Sequence, residues 1–130
     1  EYLVIDELKY RFNVPERGEV IVFRYPNDPS QFFIKRIIGL PGETVSLEDG
    51  HVRIVSDQGK RVTVLNESYI DSKILTAPDG TVSLKAEEYF VLGDNRPMSS
   101  DSRVWGVLPY DKIVGRVLLR LWPPNKIVLY

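Results

Sequence analysis

The chain has 130 residues, of which 43% are hydrophobic and 27% charged, with a formal net charge of −1. These values are typical of one folded domain with its own core, and they lack the basic excess of many nucleic-acid-binding domains. The absence of cysteine excludes disulfides and thiolate metal ligands. No apolar run approaches the roughly 18 residues of a membrane-spanning helix. We expect no cofactor, no metal ion and no nucleic-acid partner.

Short segments rich in β-branched and aromatic residues dominate the chain, and turn-forming sequences separate them. The predicted strands are 19–23, 32–38, 44–47, 51–55, 61–65, 81–84, 88–93 and 114–122. Helical turns are predicted only near 5–10, 66–74 and 109–113. The pattern predicts a mostly β, antiparallel fold.

The middle of the chain is more polar and less regular than its flanks. We predict that residues 1–49 and 87–130 form a discontinuous β core, and that 50–86 form a small inserted β cap. The predicted core side chains are Tyr2, Leu3, Val20, Val22, Phe23, Ile37, Phe90, Leu92, Trp105, Val117, Leu119 and Trp122.

Two adjacent cations, Lys35 and Arg36, stand in the middle of the apolar segment 32–38. Side chains alternate between the faces of a strand, and both faces here are largely apolar, so we predict burial on both sides. Arg36 keeps its proton and must meet a carboxylate or solvent. A desolvated Lys35 can instead be neutral and serve as a general base. The alternative, an edge strand from which the lysine reaches water, is the commoner case on the pattern alone.

A dense polar loop follows the predicted strand 88–93. Residues 94–103 contain two Asp, one Asn, two Arg and three Ser, and Trp105-Gly106 close the segment. Catalytic residues often lie on loops that a rigid scaffold positions. The alternative interpretation is an ordinary turn whose charges pair with one another.

Three sequence blocks are similar in order and spacing to signature blocks of bacterial type I signal peptidase. They are RGEVIVF (17–23), FIKRIIGLPGE (33–43) and GDNRPMSSDSRVWGVLP (93–109). Weaker likeness at 65–70 and 114–122 extends the resemblance over nearly the whole chain. The resemblance implies that family's β fold of coiled sheets in a partial barrel. It also implies a serine protease with a Ser/Lys dyad that removes signal peptides from secreted preproteins.

The resemblance also implies roles for individual residues. Lys35 aligns with the general base, and Ser99 with an accessory serine that orients the lysine amine. Asp94 aligns with the acid that pairs with Arg36. Gly93 allows the backbone to approach closely.

Further residues align with supporting and substrate-binding positions of the same family. Asp101 and Arg103 align with a supporting salt bridge. The substrate of the family lies extended along the strand before the lysine, so Phe32, Phe33 and Ile34 are expected to line its groove. Small apolar pockets there fit an Ala-x-Ala cleavage pattern.

The family acts at the bacterial cell membrane, with its catalytic domain on the extracytoplasmic side. The resemblance therefore implies signal peptides and the membrane surface as partners, with the membrane anchor expected upstream of Glu1.

One departure from the family pattern concerns the nucleophile, which lies in a Ser-Met-x-Pro block upstream of the three signature blocks. The 130 residues contain no such block, and the first serine, Ser30, lies in a Pro/Asp turn. We expect a fragment that begins after the nucleophile and is inactive on its own. One alternative is a non-catalytic, signal-peptidase-like scaffold or assembly protein. Another is a self-cleaving repressor, although such proteins lack the loop at 93–106.

Overall fold

The computed structural model describes residues 3–6, 14–120 and 128–129. Within these ranges the chain is mostly β, and every pairing between strands is antiparallel, which confirms the predicted fold class. The strands are β1 (Leu3–Asp6), β2 (Val20–Tyr25), β3 (Asp28–Gly39), β4 (Thr44–Glu48), β5 (His51–Ser56), β6 (Arg61–Val64), β7 (Gly80–Ser83), β8 (Glu88–Leu92), β9 (Leu108–Pro109), β10 (Ile113–Arg120) and β11 (Val128–Leu129).

The helical elements are short. In the described ranges, one helix, α1 (Ser102–Trp105), accompanies three 3-10 turns at Asp57–Gly59, Arg96–Met98 and Tyr110–Lys112. The last of these turns lies within the helical turn predicted at 109–113. The segment 66–74 contains turns but no helix, and the prediction at 5–10 begins on β1 and continues outside the described residues. The described part of the chain has no helix with the length and apolar character that a membrane crossing requires.

The strands form two sheets. The larger sheet has the order β1-β10-β2-β3-β8-β9, with β11 beside β10, and the smaller has the order β6-β5-β4-β7. The hairpin of β2 and β3 is closed by the two-residue turn Pro26-Asn27, since Tyr25 pairs with Asp28. Strand β8 then pairs with the far end of β3 and brings the loop that follows it beside this hairpin.

The two sheets share part of the hydrophobic core. Ile38 and Leu92 of the larger sheet cluster with Val45 and Val52 of the smaller one. The smaller sheet begins at Thr44, inside the segment that the sequence analysis assigned to the main core. The division into a core and an inserted cap stays a prediction, but the sheets themselves divide at Thr44 and not at residue 50.

Most of the predicted core residues that the structure describes are buried. Seven of them are less than 9% exposed: Val20, Val22, Phe23, Ile37, Phe90, Leu92 and Val117. Trp105 is half-buried and packs against the core cluster that contains Phe23. Tyr2 and Trp122, and the side chains of Leu3 and Leu119, lie outside the described residues.

Strand β3 is not buried on both faces throughout its length, so that prediction is wrong for its first part. Phe32 is 52% exposed and Ile34 45% exposed, and full burial begins at Ile37. The reason is topological: β2 pairs with β3 along most of its length, whereas β8 pairs with it only from Arg36 to Gly39. Among the described residues, the first part of β3 has a strand neighbour on one side only.

Candidate active site

Lys35 lies where β3 acquires its second neighbouring strand. Arg36 pairs with Leu92, the last residue of β8, so the loop that leaves β8 passes beside the Lys35 side chain. Ser99 lies on this loop, and the Lys35 Nζ donates a hydrogen bond to its Oγ at 3.1 Å. The fold thus brings together the amine and the hydroxyl that are 64 residues apart in the sequence.

The surroundings of Lys35 favour its neutral form. The side chain is half-buried, and loss of hydration lowers the pKa of its amine, an effect that the Arg103 charge reinforces and the Asp101 carboxylate partly opposes. The Nζ also lies over the Phe33 ring, 5.7 Å from its centroid, and this ring stacks on Tyr25 at 4.5 Å. Within the described residues Lys35 forms no salt bridge.

Arg36 has a full set of partners. Its Nε and Nη2 donate to the two carboxylate oxygens of Asp94 at 2.9 and 2.7 Å, and its Nη1 donates to the Gly18 carbonyl at 2.8 Å. The guanidinium also lies over the Tyr69 ring, 4.0 Å from the ring centroid. This two-pronged contact holds the cation next to Lys35 in place and matches its charge. In the part of the chain that the structure describes, a carboxylate thus neutralises the arginine, whereas none pairs with the lysine.

Gly93 has no room for a side chain. A Cβ built on it would lie 1.9 Å from the Ser99 Oγ and 3.4 Å from the Lys35 Nζ. Its N–H donates to Asp101 at 3.1 Å, and its carbonyl accepts from the Arg96 Nε at 2.8 Å. The backbone of Gly93 is therefore held from both sides, and its missing side chain leaves the space that Ser99 occupies.

Asp101 organises the second half of the loop. Its carboxylate is 0% exposed, and it accepts from the Arg103 Nε at 2.9 Å, the Arg103 Nη2 at 2.7 Å and the Arg103 backbone N–H at 3.1 Å. The last of these bonds caps the N-terminus of α1. Burial alone would raise the pKa of Asp101, but the hydrogen bonds from Arg103 and Gly93 outweigh it, and the pKa is lowered. The carboxylate is thus ionised and acts as a fixed acceptor.

The predicted groove residues differ in their surroundings. Phe32 and Ile34 are exposed, and the Arg24 guanidinium lies 4.6 Å from the centroid of the Phe32 ring. Phe33 is half-buried among aromatic rings, with the centroid of Trp105 6.3 Å from its own. The three residues belong to the part of β3 whose second edge has no strand partner in the described ranges.

One buried ion pair was not predicted from the sequence. The Arg96 side chain is 0% exposed and binds Glu67, which the sequence analysis did not connect with the loop at 93–103. Arg96 also donates to the Thr76 Oγ1 at 2.7 Å. The only signal was the weak family likeness at 65–70, which includes Glu67 but carries no assigned role. Among the described residues no group of three or more His, Asp or Glu side chains could hold a metal ion.

Comparison with known proteins places the chain in a family. The family model described as "Signal peptidase, peptidase S26" matches residues 1–122. The chain belongs to this family. The resemblance seen in the three sequence blocks is thereby confirmed.

Similar proteins carry related names. A signal peptidase I of Leptolyngbya laminosa is 41% identical over 96% of this chain and 62% of its own length. A thylakoidal processing peptidase of Arabidopsis thaliana is 33% identical over 96% of this chain and 38% of its own length. The crystal structure of a signal peptidase I from Enterococcus faecalis V583 superposes with a TM-score of 0.65, at 32% identity, covering 78% of this chain and 95% of that one.

The chain is shorter than the curated family members that it matches. It spans 62% of the Leptolyngbya laminosa relative and 57% of a probable signal peptidase I-2 from Synechocystis.

Proposed function

We propose that this chain is the part of a type I signal peptidase that supplies the lysine base of a Ser/Lys dyad, for the removal of signal peptides from secreted preproteins. The observation that carries the proposal is the contact between the Lys35 Nζ and the Ser99 Oγ at 3.1 Å, with no carboxylate paired to the amine among the described residues. The bidentate pairing of the neighbouring Arg36 supports it, because Asp94 neutralises the arginine and not the lysine.

In the proposed mechanism, neutral Lys35 accepts the proton of the nucleophilic serine as that oxygen attacks the scissile carbonyl. The same amine then returns the proton to the leaving amine of the substrate. Water hydrolyses the resulting acyl-enzyme after it loses a proton to Lys35. Ser99 accepts one N–H of the amine and so directs the lone pair of the nitrogen toward the nucleophile. The nucleophile belongs to the Ser-Met-x-Pro block of the family, which residues 1–130 do not contain.

The proposed substrate site is the open edge of β3 ahead of Lys35. An extended peptide added there would hydrogen-bond to the backbone groups that point to this edge, those of Phe32 and Ile34, because the backbone groups of alternate residues, such as Phe33, point to β2. Side-chain pockets along Phe32, Phe33 and Ile34 would select small residues in an Ala-x-Ala pattern. Because such substrates are membrane-bound, the proposal includes contact with the membrane surface. It places the protein at the bacterial cell membrane, with this portion on the extracytoplasmic side.

The test uses a chimera that supplies the nucleophile block, which residues 1–130 do not contain. The N-terminal part of the Leptolyngbya laminosa relative, up to the residue aligned with Glu1, is placed ahead of residues 1–130. The substrate is an internally quenched peptide with Ala-x-Ala before the scissile bond, and the assay is run in detergent micelles. We expect cleavage after the second alanine, and we expect Lys35→Ala to lower kcat by about 100- to 10,000-fold, as for loss of a general base.

Lys85→Ala is the matched control, because Lys85 is exposed and its side chain forms no hydrogen bond or salt bridge in the described part of the chain. Full activity of the Lys35→Ala chimera would refute the assigned base. A folded chimera that cleaves nothing would favour the non-catalytic scaffold instead.

A further inference from the structure

The segment 65–76 forms most of the link between β6 and β7; it contains no strand, and Thr76 at its end forms an isolated β-bridge with Gly50. One end follows β6, where the Leu65 N–H donates to the Val52 carbonyl at 2.8 Å. The other end is held by Thr76, whose N–H donates to the Gly50 carbonyl at 2.9 Å. Both ends are therefore anchored on the smaller sheet, and the segment between them faces the loop that carries Ser99.

Glu67 of this segment forms a buried ion pair with Arg96 of the loop. The Arg96 Nη1 donates to the Glu67 Oε1 at 3.2 Å, and the Nη2 donates to the Oε2 at 2.5 Å. Arg96 is 2% exposed as a whole residue, so its charge cannot be hydrated and depends on protein partners. Among the described residues, Glu67 is the carboxylate in contact with it, and Thr76 supplies a neutral acceptor.

The ion pair of Glu67 with Arg96 has a counterpart on the other side of Gly93. Asp101, paired with Arg103, accepts from the Gly93 N–H, whereas Arg96, paired with Glu67, donates to the Gly93 carbonyl. Ser99 packs against the Cα of this glycine so tightly that no methyl group would fit between them. The position of the Gly93 backbone therefore decides where the Ser99 hydroxyl lies.

Tyr69 gives the same segment a second contact with the site. Its hydroxyl donates to the Glu67 Oε2 at 3.0 Å, and its ring lies beneath the Arg36 guanidinium. Burial and the neighbouring Glu67 carboxylate both raise the pKa of Tyr69, so the hydroxyl stays protonated as a donor. The segment thus touches the residue after Lys35 and the residue that holds Gly93.

We propose that Glu67 is a positioning residue for this site: it holds Arg96, which holds the Gly93 carbonyl, so that Ser99 stays in contact with the Lys35 amine. The proposal rests on the proposed function, because it takes the Lys35–Ser99 contact as the one that matters for catalysis. It assigns to the link between β6 and β7 the task of joining the smaller sheet to the reacting groups.

The experiment compares the 130-residue chain with its Glu67→Gln variant, which keeps the shape of the side chain and removes its charge. Two quantities are measured by nuclear magnetic resonance: hydrogen exchange of the Gly93 amide, and the pH titration of the Lys35 side-chain nitrogen and its neighbouring carbon. We expect protection of the Gly93 amide to fall about tenfold, which corresponds to about 1.4 kcal/mol of easier local opening.

The direction of the Lys35 titration separates positioning from a simple charge effect. Loss of a negative charge, which leaves Arg96 unpaired, would by itself lower the pKa of a nearby lysine. Loosening of the loop instead admits water to Lys35 and raises its pKa toward 10.5, the ordinary value. Positioning predicts the upward shift, and the two charges that act most on Lys35, Asp101 and Arg103, are unchanged in the variant. A downward shift or none would overturn the proposal.

Two further comparisons guard against loss of folding. Thr76→Val keeps the Glu67–Arg96 pair but removes an acceptor of Arg96, whereas Thr76→Ser keeps the hydroxyl. We expect Val to shift both measurements in the same direction as Glu67→Gln, and Ser to restore values near those of the natural chain. Glu48→Gln is the charge control, because Glu48 pairs with Arg53 on the exposed side of the smaller sheet. It should change neither measurement, and a change as large as that of Glu67→Gln would overturn the proposal.

The same measurements separate failure of this inference from failure of the proposed function. If Lys35 of the natural chain titrates at the ordinary lysine value, the proposed base is wrong, whatever Glu67 does. If Lys35 titrates low but is indifferent to Glu67→Gln and Thr76→Val, only the positioning role is wrong.

Discussion

Replacement of Gly93 by alanine adds a single methyl group at the most crowded point of the site. The new Cβ would lie 1.9 Å from the Ser99 Oγ, 2.6 Å from the Ser99 Cβ and 3.4 Å from the Lys35 Nζ. Non-bonded heavy atoms prefer about 3.5–4.0 Å, so the Ser99 side chain must move by roughly 1.5 Å or more. The hydrogen bond between Ser99 and Lys35, 3.1 Å long, cannot survive that displacement.

The expected cost has two parts. Insertion of a methyl group into a packed site typically destabilises a protein by about 1–3 kcal/mol, which for a chain of this size lowers Tm by roughly 3–12 °C. The effect on catalysis is larger, since misplacement of a catalytic group by about 1 Å can cost about 100-fold in rate. We therefore expect Gly93→Ala to lose at least about 100-fold in kcat while most of the stability remains.

Stability is measured by urea and thermal unfolding of the 130-residue chain, and activity by peptide cleavage with the chimera that carries the restored nucleophile. Gly80→Ala is the matched control: a Cβ at Gly80 in β7 would meet nothing within 4 Å, and its φ lies outside the left-handed region. Gly80→Ala should be as stable as the natural chain or slightly more stable, because alanine lowers the conformational entropy of the unfolded chain relative to glycine. If Gly93→Ala matched this control in both stability and rate, the close approach of Gly93 to Ser99 would not be what positions the site.

Two further predictions concern pH. The folded chain holds the pKa of Lys35 below 10.5, so between the folded pKa and 10.5 the unfolded chain binds a proton that the folded chain does not. The lysine therefore destabilises the fold by its full amount at any pH below the folded pKa. Lys35→Met should be more stable than the natural chain in urea at pH 7, and this advantage should shrink as the pH rises toward 10.5. The folded pKa of Asp101 is lowered from 3.8, so its stabilisation is present above pH 3.8 and is lost as the pH falls through the folded value. Asp101→Asn should lose about 3–5 kcal/mol at pH 7, as for a broken buried pair, and the gap to the natural chain should narrow in urea titrations below pH 3.8, whereas a constant gap would contradict the assigned ionisation.

The strands and turns were predictable because they depend on local sequence. β-branched segments bounded by Pro-Gly and Asp-Gly turns predict the hairpins, and the predicted 44–47 and 51–55 correspond closely to β4 and β5. The sheet to which each strand belongs was harder, since it depends on contacts between distant segments. β4 was assigned to the main core but pairs with β5 and β7 in the smaller sheet.

Contacts between the candidate site residues were predictable where the family blocks contain both partners. The structure places Lys35 beside Ser99 and Arg36 beside Asp94, contacts that the aligned blocks imply. The Glu67–Arg96 pair was not predictable from spacing, because its members are 29 positions apart and the strands β7 and β8 lie between them in the sequence. From the sequence alone, an arginine between Asn95 and Pro97 is expected to be a solvated turn residue. In the fold, this residue, Arg96, is buried.

The exposure of Phe32 and Ile34 shows where periodicity misleads. A strand that is apolar on both faces is typical of a buried position between two neighbours. Here β8 pairs with β3 only from Arg36 onward, so Phe32 and Ile34, which precede Arg36, are apolar but exposed. An apolar pattern predicts a surface that will be buried, but it does not show whether residues of the same chain bury it.

The point at which β8 begins to pair with β3 also defines where the open edge of β3 ends. A peptide added to the open edge, as proposed, would end its pairing where β8 begins, one residue past Lys35, and backbone geometry would then set the distance from its last paired residue to the amine. Alternate side chains of an extended peptide face the same way, so two small residues with any residue between them would meet one surface together. In such an arrangement the position of the scissile bond would be set by the number of residues between it and the last paired residue. The spacing of the selected small residues would be set by the alternation of side chains in an extended strand.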